Sequence, residues 1–157
     1  MGGAGKQSAG ILVYRRAGAG LDVLLVHPGG PFWARKDDGA WFIPKGEINP
    51  GEVPLAAALR EFNEELGMSP PAGDPFELGT VKNKGGKLIH AWALAGDLDL
   101  AAFRSNTFSM EWPPRSGKQR EFPEVDRARY FDLETAKVKM HPAEWPLVER
   151  LVQALSG

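Results

Sequence analysis

Residues 46–68 read GEINPGEVPLAAALREFNEELGM, a turn followed by one short predicted helix that carries three glutamates and an arginine. Pro54 suits the first helical position, and Gly67 suits the left-handed cap that ends a helix, so we expect the helix to begin near Val53 and to end at Gly67. At helical spacing the apolar side chains fall on one face and the carboxylates on the other. The apolar face is predicted to consist of Leu55, Leu59, Phe62 and Leu66.

The acids of this helix are close enough to need a countercharge. Glu61, Glu64 and Glu65 lie within one turn of each other, where like charges repel and are costly to take from water uncompensated. Residues 45–68 hold five glutamates against one lysine and one arginine, although the chain of 157 residues has a net charge of only −1. We therefore expect a hard divalent cation such as magnesium as their partner.

The composition predicts one domain over residues 1–157, with residues 1–7 as a flexible leader. Hydrophobic residues make up 43% of the chain, enough for one core. The chain has no cysteine, which excludes disulfides and thiolate metal sites. No apolar run approaches the roughly 18 residues that span a bilayer, so we expect a cytoplasmic protein with no membrane segment. The net charge predicts no extended nucleic-acid surface, and the sequence leaves monomer and homodimer open.

Apolar runs on both sides of the central helix predict strands. They cover residues 9–15, 21–27, 41–43, 76–82 and 88–95, with a further short strand at 129–133. One helical turn is expected at 134–137, and an amphipathic helix after Pro142 is expected to cover the sheet. The pattern weakens from Gly96 to Arg120, where we expect a long loop over a site.

The central stretch resembles the Nudix box, G-x5-E-x7-R-E-U-x-E-E-x-G-U, in which U is an apolar residue. All nine fixed positions are filled, from Gly46 through Glu52 and the Arg60-Glu61 pair to Gly67 and Met68. The resemblance implies the α/β/α sandwich of the Nudix hydrolases, with a mixed β-sheet between helices. It also implies magnesium-dependent hydrolysis of a nucleoside diphosphate linked to another moiety, by water attack at phosphorus.

The same resemblance implies a set of metal ligands. They are Glu61, Glu64, Glu65 and the carbonyl of Gly46, with Mg²⁺ as the expected ion and Mn²⁺ as the alternative. Arg60 is suited to orienting a carboxylate by charge-assisted hydrogen bonds. Glu52 is placed either to accept hydrogen bonds from the free N–H groups at the helix start or to bind a metal through water.

A general base outside the box is also implied, since in this family it is often a glutamate six residues before an aromatic. Glu124 precedes Tyr130 by six residues and is the predicted base and a further metal ligand. Glu121, Glu65 acting through a bound water, and a purely surface role for Glu124 are the alternatives.

Several side chains flanking the box are candidate substrate contacts. Lys45 comes directly before Gly46 and is expected to meet a phosphate, and family members with this Pro-Lys-Gly prelude include hydrolases of dinucleoside polyphosphates. His27, Arg35 and Lys36 follow the second strand and are candidates for further phosphate contacts. The candidates for stacking on a nucleobase are Trp33, Trp41 and Trp112, although a core position is more typical for Trp41.

Departures from known subclasses leave the substrate open. The tyrosine that many diadenosine-polyphosphate hydrolases carry shortly after the box is missing, and Asn83 stands where ADP-ribose hydrolases have a proline. The INPGE segment resembles RNA 5′-pyrophosphohydrolases. We predict hydrolysis of a nucleoside tri- or polyphosphate, with a dinucleoside-polyphosphate or RNA 5′-end pyrophosphohydrolase as the alternative. A non-catalytic regulatory Nudix domain that binds a nucleotide is a rival of another class, against which the intact acids of the box argue.

Overall fold

The computed structural model describes residues 6–157, in which eight strands, three α-helices and one 3₁₀ turn follow one another. The strands are β1 (Ser8–Ala17), β2 (Gly20–Pro28), β3 (Lys45–Glu47), β4 (Phe76–Lys82), β5 (Leu88–Ala95), β6 (Thr107–Glu111), β7 (Gln119–Pro123) and β8 (Val125–Asp132). The helices are α1 (Pro54–Leu66), α2 (Leu133–Lys139) and α3 (Trp145–Ser156), and the 3₁₀ turn is Leu100–Ala102.

The main sheet is mixed and has six strands. Its order is β4-β5-β1-β2-β8, with β3 paired to β1. The β1 and β5 strands are parallel, whereas the other neighbours in this sheet are antiparallel. A separate hairpin is formed by β6 and β7. The mixed sheet between helices that the sequence predicted is therefore confirmed.

Successive residues of a strand point to opposite faces of the sheet. The strands bury apolar side chains on both faces, and helices cover each of these faces. Ile11 and Val13 of β1 belong to the core under α1, whereas Leu12 between them belongs to the core under α3. On the first side, α1 buries Phe62 and Leu66, and on the second, α3 buries Leu147 and Leu151. Helix α1 and the carboxyl-terminal helix thus stabilise opposite faces of one sheet.

The segment before the helix lies in the gap between β1 and β2. Phe42 exchanges both backbone hydrogen bonds with Val26 of β2, at 2.8 and 2.9 Å, and the carbonyl of Pro44 accepts from Ile11 of β1 at 3.2 Å. Strand β3 then pairs with the first residues of β1, with Gly46 opposite Ala9. The central stretch therefore begins inside the sheet and leaves it directly into the turn before α1.

Several predicted elements agree with the structure, and others differ from it. Helix α1 and strands β4 and β5 have the predicted positions. The predicted strand at residues 41–43 is instead limited to isolated bridges, Phe42 with Val26 and Trp41 with Met140. Pro44, which has no N–H to donate, interrupts the ladder there, and regular pairing resumes only at β3.

The region from Gly96 to Arg120 is more ordered than the sequence predicted. It contains the 3₁₀ turn, all of β6 and the first residues of β7, and residues 112–118 form the irregular tip of the hairpin. The two strands are largely exposed, so they lack the apolar runs by which a strand is recognised in a sequence. Strand β8 is likewise longer than predicted, because the charged residues Asp126 and Arg127 follow its first residue and conceal the strand pattern.

Gln7, the last residue of the predicted leader, is hydrogen-bonded to the rest of the domain. The carbonyl of Gln7 accepts from the N–H of Ile48 at 2.8 Å, and its side-chain oxygen is 2.7 Å from His90 Nε2. Gln7 is therefore part of the domain, and the prediction for residues 1–5 lies outside the described residues. Within residues 6–157, no helix is long and apolar enough to cross a membrane.

Replacing Gly67 is expected to destabilise the protein more than replacing Gly51. Both residues have left-handed backbone, with φ of 68° and 77°, which costs alanine about 1–2 kcal/mol. A Cβ on Gly67 would also lie 2.2 Å from the carbonyl oxygen of Arg104, whereas a Cβ on Gly51 meets nothing within 4 Å. Urea unfolding of Gly67→Ala and Gly51→Ala measures the difference, and equal losses of unfolding free energy would contradict this packing.

Candidate active site

Helix α1 separates an apolar face from an acidic one. Its Pro54 start and its end at Gly67, which has φ of 68°, follow the local signals of the sequence. Phe62 and Leu66 are fully buried against the sheet, and Leu55 and Leu59 are partly buried beside them. The opposite face carries the charged residues of the box, which are Arg60, Glu61, Glu64 and Glu65.

The glycine of strand β3 allows a carboxylate to lie against the backbone. A Cβ on Gly46 would lie 2.0 Å from the carboxyl carbon of Glu61 and 2.1 Å from its Oε1. No side chain can occupy that space while Glu61 keeps its position. The first residue of the sequence motif thus meets a glutamate of the helix in space, and this position of Glu61 requires glycine at residue 46.

Arg60 holds three carboxylates together. Its Nε and Nη2 donate to the two oxygens of Glu52 at 2.8 and 2.9 Å, and its Nη1 donates to Glu61 at 2.8 Å and Glu64 at 3.1 Å. Such charge-assisted, partly bidentate bonds are among the strong hydrogen bonds in proteins. The Arg60 hydrogen bond, supported by the N–H of Asn49, lowers the pKa of Glu52 to about 2. Glu52 is therefore ionised and paired at neutral pH.

Glu65 has a different environment from the other acids. Its Oε1 accepts the backbone N–H of Lys45 at 3.2 Å. Burial raises the pKa of Glu65 to about 8, and the charges of Glu61 and Glu124 add to this effect, while Lys45 opposes it. Burial also raises the pKa of Glu61, against the hydrogen bond from Arg60. The acid cluster is thus held with unfavourable charge, which an added cation would relieve.

A pocket of about 190 Å³ lies beside Glu65. It is lined by Val26, Pro28, Trp33, Phe42, Ile43, Lys45, Glu65, Glu124 and Val125. Glu124 reaches it from the link between β7 and β8, where its N–H donates to the carbonyl of Asn106 at 2.8 Å and its carbonyl accepts from Gly29 at 3.0 Å. Two glutamates 59 residues apart in sequence (124 − 65) therefore share one small pocket with a lysine.

The donor set fits a hard divalent cation in chemistry, although the side chains are not arranged around a common point. All candidate ligands present oxygen, which Mg²⁺ and Mn²⁺ prefer. Within residues 6–157, no three acidic or histidine side chains form a ready-made metal cluster. Arg60 explains this, since it binds Glu61 and Glu64 directly. A cation at these oxygens would share them with the guanidinium.

The predicted phosphate contacts divide into accessible and inaccessible residues. Lys45 lines the pocket. Arg35 and Lys36 are exposed on the loop after β2, and the Lys36 ammonium lies 4.9 Å from the ring centre of Trp33. His27 is 0% exposed, with Nδ1 2.8 Å from Asp126 and Nε2 donating to the carbonyl of Lys36 at 2.6 Å. The prediction that His27 binds phosphate is therefore wrong, because the protein itself occupies both ring nitrogens.

Of the three candidate tryptophans and the alternative base Glu121, only Trp33 lines the pocket. Trp33 lines the pocket, whereas Trp41 is 1% exposed in the core, as expected of it. Trp112 packs edge-on against Phe32 at 5.7 Å, away from the lining residues. Glu121 lies on exposed β7 and accepts from the Thr107 hydroxyl at 2.8 Å, so it does not share the pocket with Glu65.

Two residues near the pocket were missed by the sequence analysis. Phe42 forms part of its wall, and Glu144 holds the Lys45 ammonium at 2.8 Å. Phe42 had been assigned only to a core strand. Nothing in the sequence singles out Glu144, which is a lone acid before a helix and approaches the site only through the fold.

Without divalent cations, we expect the unfolding free energy to fall as pH rises from about 5 to 8. Glu65 has its folded pKa at about 8 and an ordinary value of 4.5 when unfolded, so the folded protein binds more protons in this window. That stability is present below pH 4.5 and is lost as pH rises through 8, with a slope of at most about 1.4 kcal/mol per pH unit. Urea unfolding in EDTA measures it.

The variant Glu65→Gln, which cannot ionise, is expected to flatten this dependence. Glu149→Gln serves as the matched control, because Glu149 is exposed on α3 at the opposite face of the sheet. If the unfolding free energy of Glu65→Gln depends on pH as steeply as that of the wild type, Glu65 does not bind the proton that causes this dependence.

Two proteins with similar sequences are both named RNA pyrophosphohydrolase. The chain is 30% identical to a protein named RNA pyrophosphohydrolase from Rhodospirillum rubrum, over 96% of this chain and 92% of the relative. It is also 30% identical to an RNA pyrophosphohydrolase from Erythrobacter litoralis, over 68% of this chain and 73% of the relative.

Solved structures share the fold at lower sequence identity. A C. elegans Ap4A hydrolase in a binary complex matches with a TM-score of 0.68 and 20% identity, over 96% of this chain and 99% of the other. The NUDIX domain of Shewanella oneidensis NrtR, complexed with ADP ribose, matches with a TM-score of 0.64 and 17% identity, over 97% and 89%.

The family model for the NUDIX domain matches residues 5–151, nearly the whole chain. This match covers the sheet, helix α1 with its acids, the pocket and most of α3. The resemblance seen in the box therefore extends over the domain, and this chain belongs to the Nudix family of pyrophosphohydrolases.

Proposed function

We propose that this Nudix hydrolase cleaves a pyrophosphate bond of a nucleoside tri- or polyphosphate, with Mg²⁺ as its cation and water as the nucleophile. The observation that carries the proposal is the shared pocket of Lys45, Glu65 and Glu124 beside the acids held by Arg60. A phosphate chain and the acids of the box repel one another. A divalent cation, when bound, neutralises charge on the diphosphate and lowers the pKa of the attacking water.

The metal ligands proposed are Glu61, Glu64, Glu65 and the carbonyl of Gly46, with Glu124 able to join them. Their support is chemical and spatial, since they are oxygen donors collected at the junction of β3 and α1. Arg60 orients Glu61 and Glu64 by direct hydrogen bonds. Arg60 also pairs with Glu52 through two hydrogen bonds. These bonds hold Arg60 in place when Glu61 and Glu64 bind a cation.

Lys45 is the proposed phosphate contact inside the pocket, and Lys36 and Arg35 extend positive charge from the neighbouring loop. The Trp33 ring forms another part of the wall, edge-on to Phe42 at 5.5 Å. An aromatic face beside a phosphate contact suits a nucleobase. We therefore assign the base to the Trp33 side of the pocket and the phosphates to the Lys45 side.

Glu124 is the proposed general base. It lines the pocket and is exposed to solvent, so a water between it and a bound phosphate is accessible to both. Glu121 is disfavoured by its position on the hairpin. Glu65 remains the alternative base, acting through a bound water, because it lies in the same pocket.

A second candidate substrate is a 5′-phosphorylated RNA end. The relative named RNA pyrophosphohydrolase from Rhodospirillum rubrum, matched over 96% of this chain at 30% identity, favours it. A small pocket and a net charge of −1 suit contact with the first nucleotide rather than a long RNA track. The rival proposal of a regulatory domain without catalysis predicts nucleotide binding with no turnover. Cytoplasmic location and the choice between monomer and homodimer stay predictions.

The wild-type protein is expected to release pyrophosphate or phosphate from nucleoside triphosphates only when a divalent cation is present. Glu124→Gln should lower kcat by about 10²–10⁴, the usual contribution of a general base, and should remove its limb of the pH–rate profile. Products are followed by chromatography with magnesium or EDTA, over a panel of nucleoside triphosphates, diadenosine compounds and 5′-triphosphorylated RNA.

Glu121→Gln is the control for this experiment, since it removes a carboxylate three residues away and outside the pocket. It should retain wild-type kcat. Turnover in EDTA, or binding without turnover for the whole panel, would contradict the proposed hydrolysis. An unchanged pH–rate profile in Glu124→Gln would instead remove only Glu124 as the base and leave Glu65 in that role.

A further inference from the structure

Glu144 is the only acidic residue among residues 6–157 that solvent barely reaches. Its residue exposure is 1%, and the other buried polar residues of this part of the chain are Ser8 and His27. It lies directly before α3, on the opposite side of the sheet from the acidic helix. A buried charge is costly unless it is paired and hydrogen-bonded, so its partners show what it stabilises.

Each oxygen of Glu144 has one partner, and both partners belong to the segment before the Nudix box. Oε1 accepts the backbone N–H of Ile43 at 2.9 Å, and Oε2 lies 2.8 Å from the Lys45 ammonium. The Glu144 carboxylate therefore binds the backbone of Ile43, before Pro44, and the side chain of Lys45, after it.

The Lys45 ammonium is fixed from several directions. Besides the Glu144 contact, it lies 4.5 Å from the ring centre of Phe42, a cation–π distance. The Lys45 side chain is 22% exposed and lines the pocket together with Glu65 and Glu124. The positive charge of Lys45 opposes the rise in the pKa of Glu65, so the ammonium acts on the charges in the pocket. Because its side chain is partly exposed, the ammonium is also accessible from solvent.

A lysine side chain has four flexible bonds and a strongly hydrated ammonium, and it loses considerable freedom when it binds a phosphate. Glu144 removes much of that freedom before the ligand arrives, because it holds the ammonium at the pocket wall. Two of the three ammonium protons are not needed by Glu144 and are free for other acceptors. The ion pair thus leaves Lys45 able to donate to an incoming phosphate oxygen.

We propose that Glu144 is a positioning residue for substrate binding, whose buried carboxylate holds the Lys45 ammonium at the pocket wall where it meets a phosphate of the nucleotide. This inference rests on the proposed function in one respect, namely that a phosphate chain enters this pocket. It adds a residue from outside the Nudix box, and from the far face of the sheet, to the binding of that chain.

The substitution Glu144→Gln tests the ion pair while it keeps the backbone contact. The amide oxygen can still accept from Ile43, but the amide NH₂ is then directed at the ammonium, where two donors face each other. We expect KM for a nucleoside triphosphate to rise about tenfold and kcat to stay within about twofold, because ground-state binding is lost uniformly. Lys45→Met is expected to raise KM at least as much.

The double variant Glu144→Gln/Lys45→Met separates positioning from a general structural role. If Glu144 acts through Lys45, the double variant has the KM of Lys45→Met alone. A further rise in KM on adding Glu144→Gln to Lys45→Met, or an unchanged KM in Glu144→Gln alone, would overturn the inference. Urea unfolding of each variant shows whether it is folded under assay conditions.

Two additions make the experiment decisive in every case. Glu144→Asp keeps the charge but withdraws it by one methylene group, so it should also raise KM, and it replaces Glu144→Gln if that variant does not fold. Calorimetric binding of inorganic triphosphate to the same proteins gives the same comparison without turnover. Absence of turnover in the wild type would reject the proposed function alone, whereas equal triphosphate binding by wild type and the Glu144 variants would reject the positioning role.

Discussion

The backbone of Gly46 lies directly against the carboxyl group of Glu61 at the place where strand β3 meets helix α1. A single added Cβ would lie 2.0 Å from the carboxyl carbon, so the approach depends on glycine. The same junction places the Lys45 N–H within reach of Glu65. Because β3 emerges from between β1 and β2, the acids of a surface helix lie beside a segment that is anchored in the centre of the sheet.

Electrostatics divides these acids into two groups with different behaviour. Glu52, Glu61 and Glu64 are paired with Arg60, whereas Glu65 lies towards the pocket and has its pKa raised to about 8. Arg60 offsets part of the charge of the first group, although burial still raises the pKa of Glu61, and Glu65 is stabilised when a proton or a cation is added. This division explains why so many carboxylates can be held close together on a helix that must approach an anionic ligand.

Local signals in the sequence were sufficient to predict the helix, its ends and the family. Pro54 and Gly67 act within a few residues of their own positions, and the box is one continuous stretch of the sequence. The β6–β7 hairpin was not predicted, because its strands are short and exposed. The role of Glu144 was also out of reach, since its contact with Ile43 joins residues 101 positions apart. His27 was misjudged for the same reason, as its partner Asp126 is 99 positions away.

Direct binding of a divalent cation tests the central claim, that the junction of β3 and α1 is a cation site for pyrophosphate hydrolysis. Calorimetric titration of Mg²⁺ or Mn²⁺ into the protein should give saturable binding. Glu61→Gln should weaken it by at least about tenfold, and Glu149→Gln on the opposite face should leave it unchanged. A wild-type protein that binds neither ion, or a Glu61→Gln variant that binds them as the wild type does, would contradict the account.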